Sequence, residues 1–143
     1  MIRGLWHPRF PLPLVQAGIQ IEGFTTEWHL LNFVVDTGAT NSCLHPRDAY
    51  RLGIPRSSLD PQTWEESTST LGIGGRSLYR PCPATYAFMP EEAPSEPLIL
   101  PEASIRLAAT TPSNQRLPSL LGWDVLRHFR LTIDSDEVWL EPR

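Results

Sequence analysis

Apolar residues in this chain come in short runs of about four to eight, cut by proline and glycine, and that texture predicts mostly β structure with tight turns. The clearest run is Trp28 to Val35, ending in Leu30-Leu31-Asn32-Phe33-Val34-Val35. So continuous an apolar stretch predicts a strand buried on both faces. Asp36-Thr37-Gly38-Ala39 breaks it, and Thr40 to Leu44 resumes an extended pattern. Pro46 at a first helical position and Gly53 just past Leu52 bracket a short helix over His45 to Leu52. Ser67 to Leu71 and Arg76 to Arg80 flank Gly72-Ile73-Gly74-Gly75, which predicts a hairpin with a glycine-rich tip. Pro81 to Pro101 carries six prolines and predicts an irregular excursion around one strand near Ala84 to Met89. Further strands are expected at Ser104 to Ala109 and Leu117 to Leu121. Asp124 to Phe129 has helical spacing, with Val125, Leu126 and Phe129 on one side. Leu131 to Asp134 and Val138 to Leu140 then form a hairpin turning at Ser135-Asp136. One weak internal echo stands out: Phe33 to Gly38 and Ser119 to Gly122 are both apolar strands ending in glycine.

Length and charge narrow the function classes. The 143 residues predict a single domain over 1–143 with a modest core. A net charge of −4 leaves no electrostatic footprint for nucleic acid or an anionic membrane face. No apolar run approaches the roughly 18 residues of a transmembrane helix. Met1 to Pro8 lacks the apolar segment of a secretory leader, so a cytoplasmic location is expected. Two cysteines, Cys43 and Cys82, are expected to be free and partly buried, with no metal ligands around them and no cofactor implied.

The chemistry concentrates at Asp36. A carboxylate directly after a buried strand is costly to hold ionised unless it is hydrogen-bonded. Thr37 offers a hydroxyl, and Gly38 lets backbone N–H groups come close. Such a group suits a general base, yet hydrolysis of an amide needs an acid as well, and one carboxylate does not supply both. On these residues alone, Asp-Thr-Gly reads equally well as an ordinary turn after a strand.

Three motifs in order change that balance. Val34-Val35-Asp36-Thr37-Gly38-Ala39-Thr40 resembles the active-site signature of aspartic proteases. Leu120-Leu121-Gly122-Trp123-Asp124-Val125-Leu126 resembles the Leu-Leu-Gly-Arg-Asp element of retropepsins, and Gly72-Ile73-Gly74-Gly75 between them resembles the retropepsin flap tip. The match is to retroviral-type (retropepsin-like) aspartic proteases, nearest in flavour to the cellular and bacterial branch that includes the protease-like domain of ubiquitin-shuttle proteins. The resemblance implies a mostly β, closed barrel with a flap hairpin, one short helix after the active-site strands and another near the C-terminus. It departs from the viral pattern where Trp123 replaces an arginine and Thr40 replaces that arginine's aspartate partner. Both halves of the ion pair are missing together, so no buried charge is orphaned, but the viral style of dimer bracing is absent.

The resemblance further implies a homodimer, since pepsin-like enzymes carry two Asp-Thr-Gly motifs and this chain carries one. Asp36 would be the catalytic residue of each subunit, Thr37, Gly38 and Ala39 the active-site loop, and Leu71, Gly72, Ile73, Gly74 and Gly75 the flap closing on an extended peptide. Leu31 and Ile73 would favour apolar side chains beside the cleaved bond. The competing reading keeps the fold as a catalytically silent peptide-binding or dimerisation module. Other residues are set aside: His7, His29, His45 and His128 as surface or helix-cap residues, Asp124 as a helix-start carboxylate, Asp134 and Asp136 as turn residues. Ser42 and Ser119 lack a general base at recognisable spacing. The five tryptophans are assigned to core and interface packing, with Trp139 as a candidate for dimer burial.

Overall fold

The computed structural model describes the backbone of residues 1–65, 68–72 and 75–143, and the side chains outside 66–76. The elements run β1 (Ile2–Arg3), β2 (Leu5–Trp6), β3 (Pro13–Ile21), β4 (His29–Val35), β5 (Cys43–Leu44), α1 (Pro46–Arg51), β6 (Thr68–Gly72), β7 (Gly75–Phe88), β8 (Leu98–Ala108), β9 (Leu120–Leu121), α2 (Trp123–Leu126), β10 (Phe129–Ile133) and β11 (Val138–Pro142). Two short 3-10 turns, Arg56–Leu59 and Pro61–Thr63, lie between α1 and β6.

Six strands close into a barrel in the order β3-β4-β9-β5-β8-β7, with β7 returning to β3. Closure depends on β3 changing neighbours along its length. Its first half pairs with β2 at Leu5↔Leu14, and its second half pairs with β7 from Gly18↔Ala87 to Ile21↔Ala84. The pattern of β3 explains its place: Val15, Ala17, Ile19 and Ile21 are all buried, alternating at period two. That alternation is in the sequence, and the run-based reading passed over it. A separate three-stranded sheet, β1-β11-β10, covers one end. Gly4 is where the chain passes from that sheet to the barrel. A Cβ there would collide with the Leu14 carbonyl and Val138.

The barrel interior is filled by Phe33, Tyr86, Phe88 and Phe129, linked ring to ring. Phe88 meets Phe129 edge-on with centroids 5.1 Å apart. Val125, Leu126 and Phe129 are buried together, as their spacing predicts. The helix itself is shorter than Asp124 to Phe129, ending at Leu126, and Phe129 starts β10. Likewise only Cys43–Leu44 and Leu120–Leu121 are strand within the longer extended segments expected there.

The largest departure is at Pro81 to Pro101. Residues 81–88 continue β7 without interruption, β8 begins at Leu98, and the irregular part is confined to residues 89–97. Pro81 and Pro83 are tolerated because they lie on the side of β7 facing away from β8. The Pro83 carbonyl accepts from Glu22 N–H on the β3 side, so the missing proline N–H removes no bond to β8. Opposite Thr85, β8 bulges: pairing jumps from Ala84↔Ala103 to Tyr86↔Leu100, and Glu102 takes φ 57° to make the kink.

None of the five tryptophans is core. Trp28 and Trp123 are exposed, and Trp6, Trp64 and Trp139 are half-buried, three of these five indoles donating to backbone carbonyls. Polar N–H groups that can reach a carbonyl at the surface gain nothing from full burial.

Candidate active site

The loop Asp36 to Ser42 joins β4 to β5 and arches over β9. Strand β9 pairs parallel with β4 at Val34↔Leu120 and Val35↔Leu121, and antiparallel with β5 at Cys43↔Leu120. The two apolar strands that echo one another in sequence are therefore direct neighbours. Asp36 stands at the start of this loop, where its N–H is bonded to Leu121 O of β9. Asp36 is half-buried, and Thr37 and Gly38 are exposed.

The loop is pinned almost entirely through its backbone. Asp36 N–H donates to Leu121 O (3.0 Å), Ala39 N–H to Asp36 O (3.2 Å), and Gly38 N–H to the carboxylate oxygen Asp36 Oδ1 (2.9 Å). From the other side, α2 presses its first turn against the loop. Trp123 N–H donates to Ala39 O (2.9 Å) and Asp124 N–H to Thr40 O (3.1 Å). Gly122 is required for this approach, because a Cβ there would lie 2.7 Å from Ala39 O and from the backbone of Asn41. The Trp123 indole N–H donates to Thr37 O at 2.6 Å.

Beneath the loop lie two buried polar clusters. In the first, Asp124 accepts from Ser42 N–H (3.0 Å), Ser42 Oγ–H (2.7 Å) and Val125 N–H (2.9 Å), while Ser42 Oγ accepts from Gly122 N–H (3.0 Å). Asp124 thus tends its own helix start and clamps the far end of the Asp36 to Ser42 loop. Ser42 is fully enclosed, which rules it out as a nucleophile. In the second, Ser119 Oγ–H donates to Asp48 (2.6 Å) and accepts from His45 N–H (3.1 Å). His45 holds the N-cap position of α1 but its side chain is buried and does not cap. Its Nδ1 donates to Pro118 O at 2.6 Å. Burial pushes its pKa down, opposed by that bond and by Asp48. Three neighbouring elements, α1, β5 and β9, are tied by this cluster; neither Asp48 nor its role was visible from local pattern.

The remaining sequence assignments sort as follows. Leu31 is buried in the core, because alternation on β4 turns it inward. Of the flap, Leu71, Gly72 and Gly75 lie on the β6–β7 hairpin, with Gly72↔Gly75 as its last pair. Ile73 and Gly74 fall outside the described residues. Asp134 Oδ1 accepts from Asp136 N–H and Glu137 N–H, making it a turn residue as expected. Cys43 and Cys82 are both free and buried, and burial raises the Cys43 thiol to about 12. Among the described residues no three His, Cys, Asp or Glu side chains gather into a metal site. No helix among them is long and apolar enough to cross a membrane. An open concavity of 890 Å³ lies near the β8 bulge, between Glu22, Pro83, Thr85 and Glu102, and Asp36 is not among the residues that line it.

The aspartyl protease family model matches residues 18–79, the segment that holds β4, the Asp-Thr-Gly loop and the β6–β7 hairpin from Thr68 to Tyr79. No curated protein sequence matches the chain. Among solved structures, the fold is similar to a retropepsin-like aspartic protease from Rickettsia conorii, with a TM-score of 0.60, 20% identity, and 94% of each chain covered. Sequence and fold thus agree: the chain is similar to aspartyl proteases through its Asp-Thr-Gly half and has the retropepsin-like fold throughout. Neither comparison bears on the narrower likeness to ubiquitin-shuttle proteins.

Proposed function

We propose that this single-domain chain is an aspartic endopeptidase that cuts extended polypeptides as a homodimer, with Asp36 of each subunit at the centre of a shared cleft. The observation that carries the reading is the setting of Asp36: a half-buried carboxylate on a loop braced by backbone bonds to β9 and α2, with one oxygen already held by Gly38 N–H. That bond leaves the other oxygen for water or for a second carboxylate. A lone group of this kind lacks the acid that amide hydrolysis needs, and a two-fold axis through the loop tip supplies it.

Two carboxylates about 3 Å apart share one proton, the known behaviour of aspartic-protease pairs, and titrate as a unit. The ionised member takes a proton from a water that attacks the scissile carbonyl. The protonated member donates to the carbonyl oxygen, and a proton then passes to the leaving amine. No covalent intermediate forms. Thr37, exposed at the loop tip, is placed to hydrogen-bond across the axis, and Gly38 offers its backbone to substrate. The β6–β7 hairpin from each subunit covers a peptide bound by backbone pairing, with Leu71, Gly72, Ile73, Gly74 and Gly75 as the flap residues of this reading.

The test is digestion of a denatured protein and of a peptide library between about pH 3 and 7, with Asp36→Asn as control. Cleavage by the wild type and not by the variant is the expected result. A dimer that binds peptide equally well with and without Asp36, and cuts nothing, would establish the silent-module reading instead. A strict monomer by light scattering would remove the site.

A further inference from the structure

The Thr37 carbonyl and the Gly38 N–H belong to one rigid peptide unit. Trp123 donates to its oxygen (2.6 Å), and the same unit donates its N–H to Asp36 Oδ1 (2.9 Å). A chain of hydrogen bonds therefore runs from the Trp123 indole through a single peptide plane to the carboxylate. Donation to a carbonyl polarises the N–H on the other side of the same plane, and linked bonds strengthen one another by roughly 10–30%. The plane is also otherwise loosely held. Thr37 and Gly38 are both exposed, and among the described residues no other side chain bonds to the Asp-Thr-Gly backbone from outside the loop. The indole is itself anchored, since Trp123 N–H is bound to Ala39 O and the adjacent Gly122 packs against Asn41.

We propose that Trp123 is a positioning residue that orients and strengthens the hydrogen bond from Gly38 to the Asp36 carboxylate, acting through the Thr37–Gly38 peptide. In this chain the tryptophan stands where the viral element has arginine. It braces the active loop from within its own subunit, by a neutral donor, in place of an ion pair. The kinetic consequence rests on Asp36 being the catalytic carboxylate of the proposed endopeptidase; the spectroscopic consequence does not.

The experiment is Trp123→Phe in the full chain, which keeps an aromatic ring and deletes only the donor. The ring is 41% exposed, so the variant is expected to fold and assemble as the wild type does, checked by melting temperature and light scattering. In 1H–15N spectra the Gly38 amide proton should move upfield, and the midpoint of its pH titration should rise by about 0.1–0.7 unit, the loss of that cooperative share of one charged hydrogen bond. In the protease assay kcat should fall by up to about fivefold with KM little changed, and the acidic limb of the kcat/KM profile should move to higher pH by the same amount as the Gly38 midpoint. A Gly38 resonance unchanged in position and midpoint overturns the proposal. So does a drop in kcat that leaves the pH profile in place and follows a fall in melting temperature, since that is a merely structural effect. If the wild type cuts nothing that Asp36→Asn does not, the endopeptidase reading fails while the Gly38 titration still decides the role of Trp123.

Discussion

Replacing Asp124 separates a structural carboxylate from the one proposed to be catalytic. Its side chain accepts from Ser42 N–H, Ser42 Oγ–H and Val125 N–H, and Ser42 is entirely buried. In Asp124→Ala all three donors lose their acceptor, and the Ser42 N–H is left without a partner in a space water does not reach. A hydrogen bond to a charged acceptor contributes about 1.5–3 kcal/mol, and an orphaned buried donor costs about 1–3 kcal/mol. Counting Val125 N–H as partly rescued by its bond to Gly122 O, the expected loss is about 3–5 kcal/mol. Set against the roughly 5–15 kcal/mol that holds a domain of this size together, that is enough to leave the variant marginal. Asp124→Asn keeps an oxygen in the same place and should lose about 1–2 kcal/mol. Urea unfolding at neutral pH, with midpoints compared at constant slope, reads both values. The functional expectation is the opposite of that for Asp36. Folded Asp124→Asn should retain cleavage within about tenfold, because its role is to hold the far end of the active loop. The reasoning is refuted if the alanine variant loses under 1 kcal/mol, if asparagine costs as much as alanine, or if the folded asparagine variant is as inactive as Asp36→Asn.

Three further outcomes follow from the same geometry. His45 has its pKa lowered in the folded state by burial, so the unfolded chain binds a proton first as pH falls. Stability from this residue is therefore full above about pH 6.5 and declines as pH drops from there toward the lowered folded value, and the decline should flatten in His45→Gln when unfolding is measured between pH 7 and 5. Gly122→Ala would push a methyl to within 2.7 Å of backbone at Ala39 and Asn41, which cannot swing aside as a side-chain end can; about 1–3 kcal/mol should be lost by thermal melting, together with most cleavage activity. Cys43 should not react with a thiol reagent in the native protein, being buried and raised to about 12, and should become reactive only with global unfolding as the thiol is titrated in denaturant.

Read along the chain, the amino-acid pattern located most elements whose character is local, β3 with its period-two alternation being the exception. The strand through Val35, the proline and glycine around α1, the terminal hairpin and the β6–β7 pairing report their own geometry through residue type and period, but β4 is buried on both faces only from Phe33 to Val35, with Leu30 and Asn32 exposed against expectation. The Asp36 loop was legible for the same reason, since a carboxylate and a glycine straight after an apolar strand are an unusual local choice. Three kinds of fact lay beyond that reach. Pro81 and Pro83 look like breaks until β3 is seen to stop short of them and β8 to lie on their opposite side. His45 and Asp48 look like surface residues of a short helix until β9 is laid across them. The bonds that shape the site join residues far apart in the chain, Ser42 to Asp124 and Thr37 to Trp123, 82 and 86 positions distant. Periodicity tells a side chain which way to face. Which strand it meets there depends on closing the barrel, and that is a property of all six strands at once.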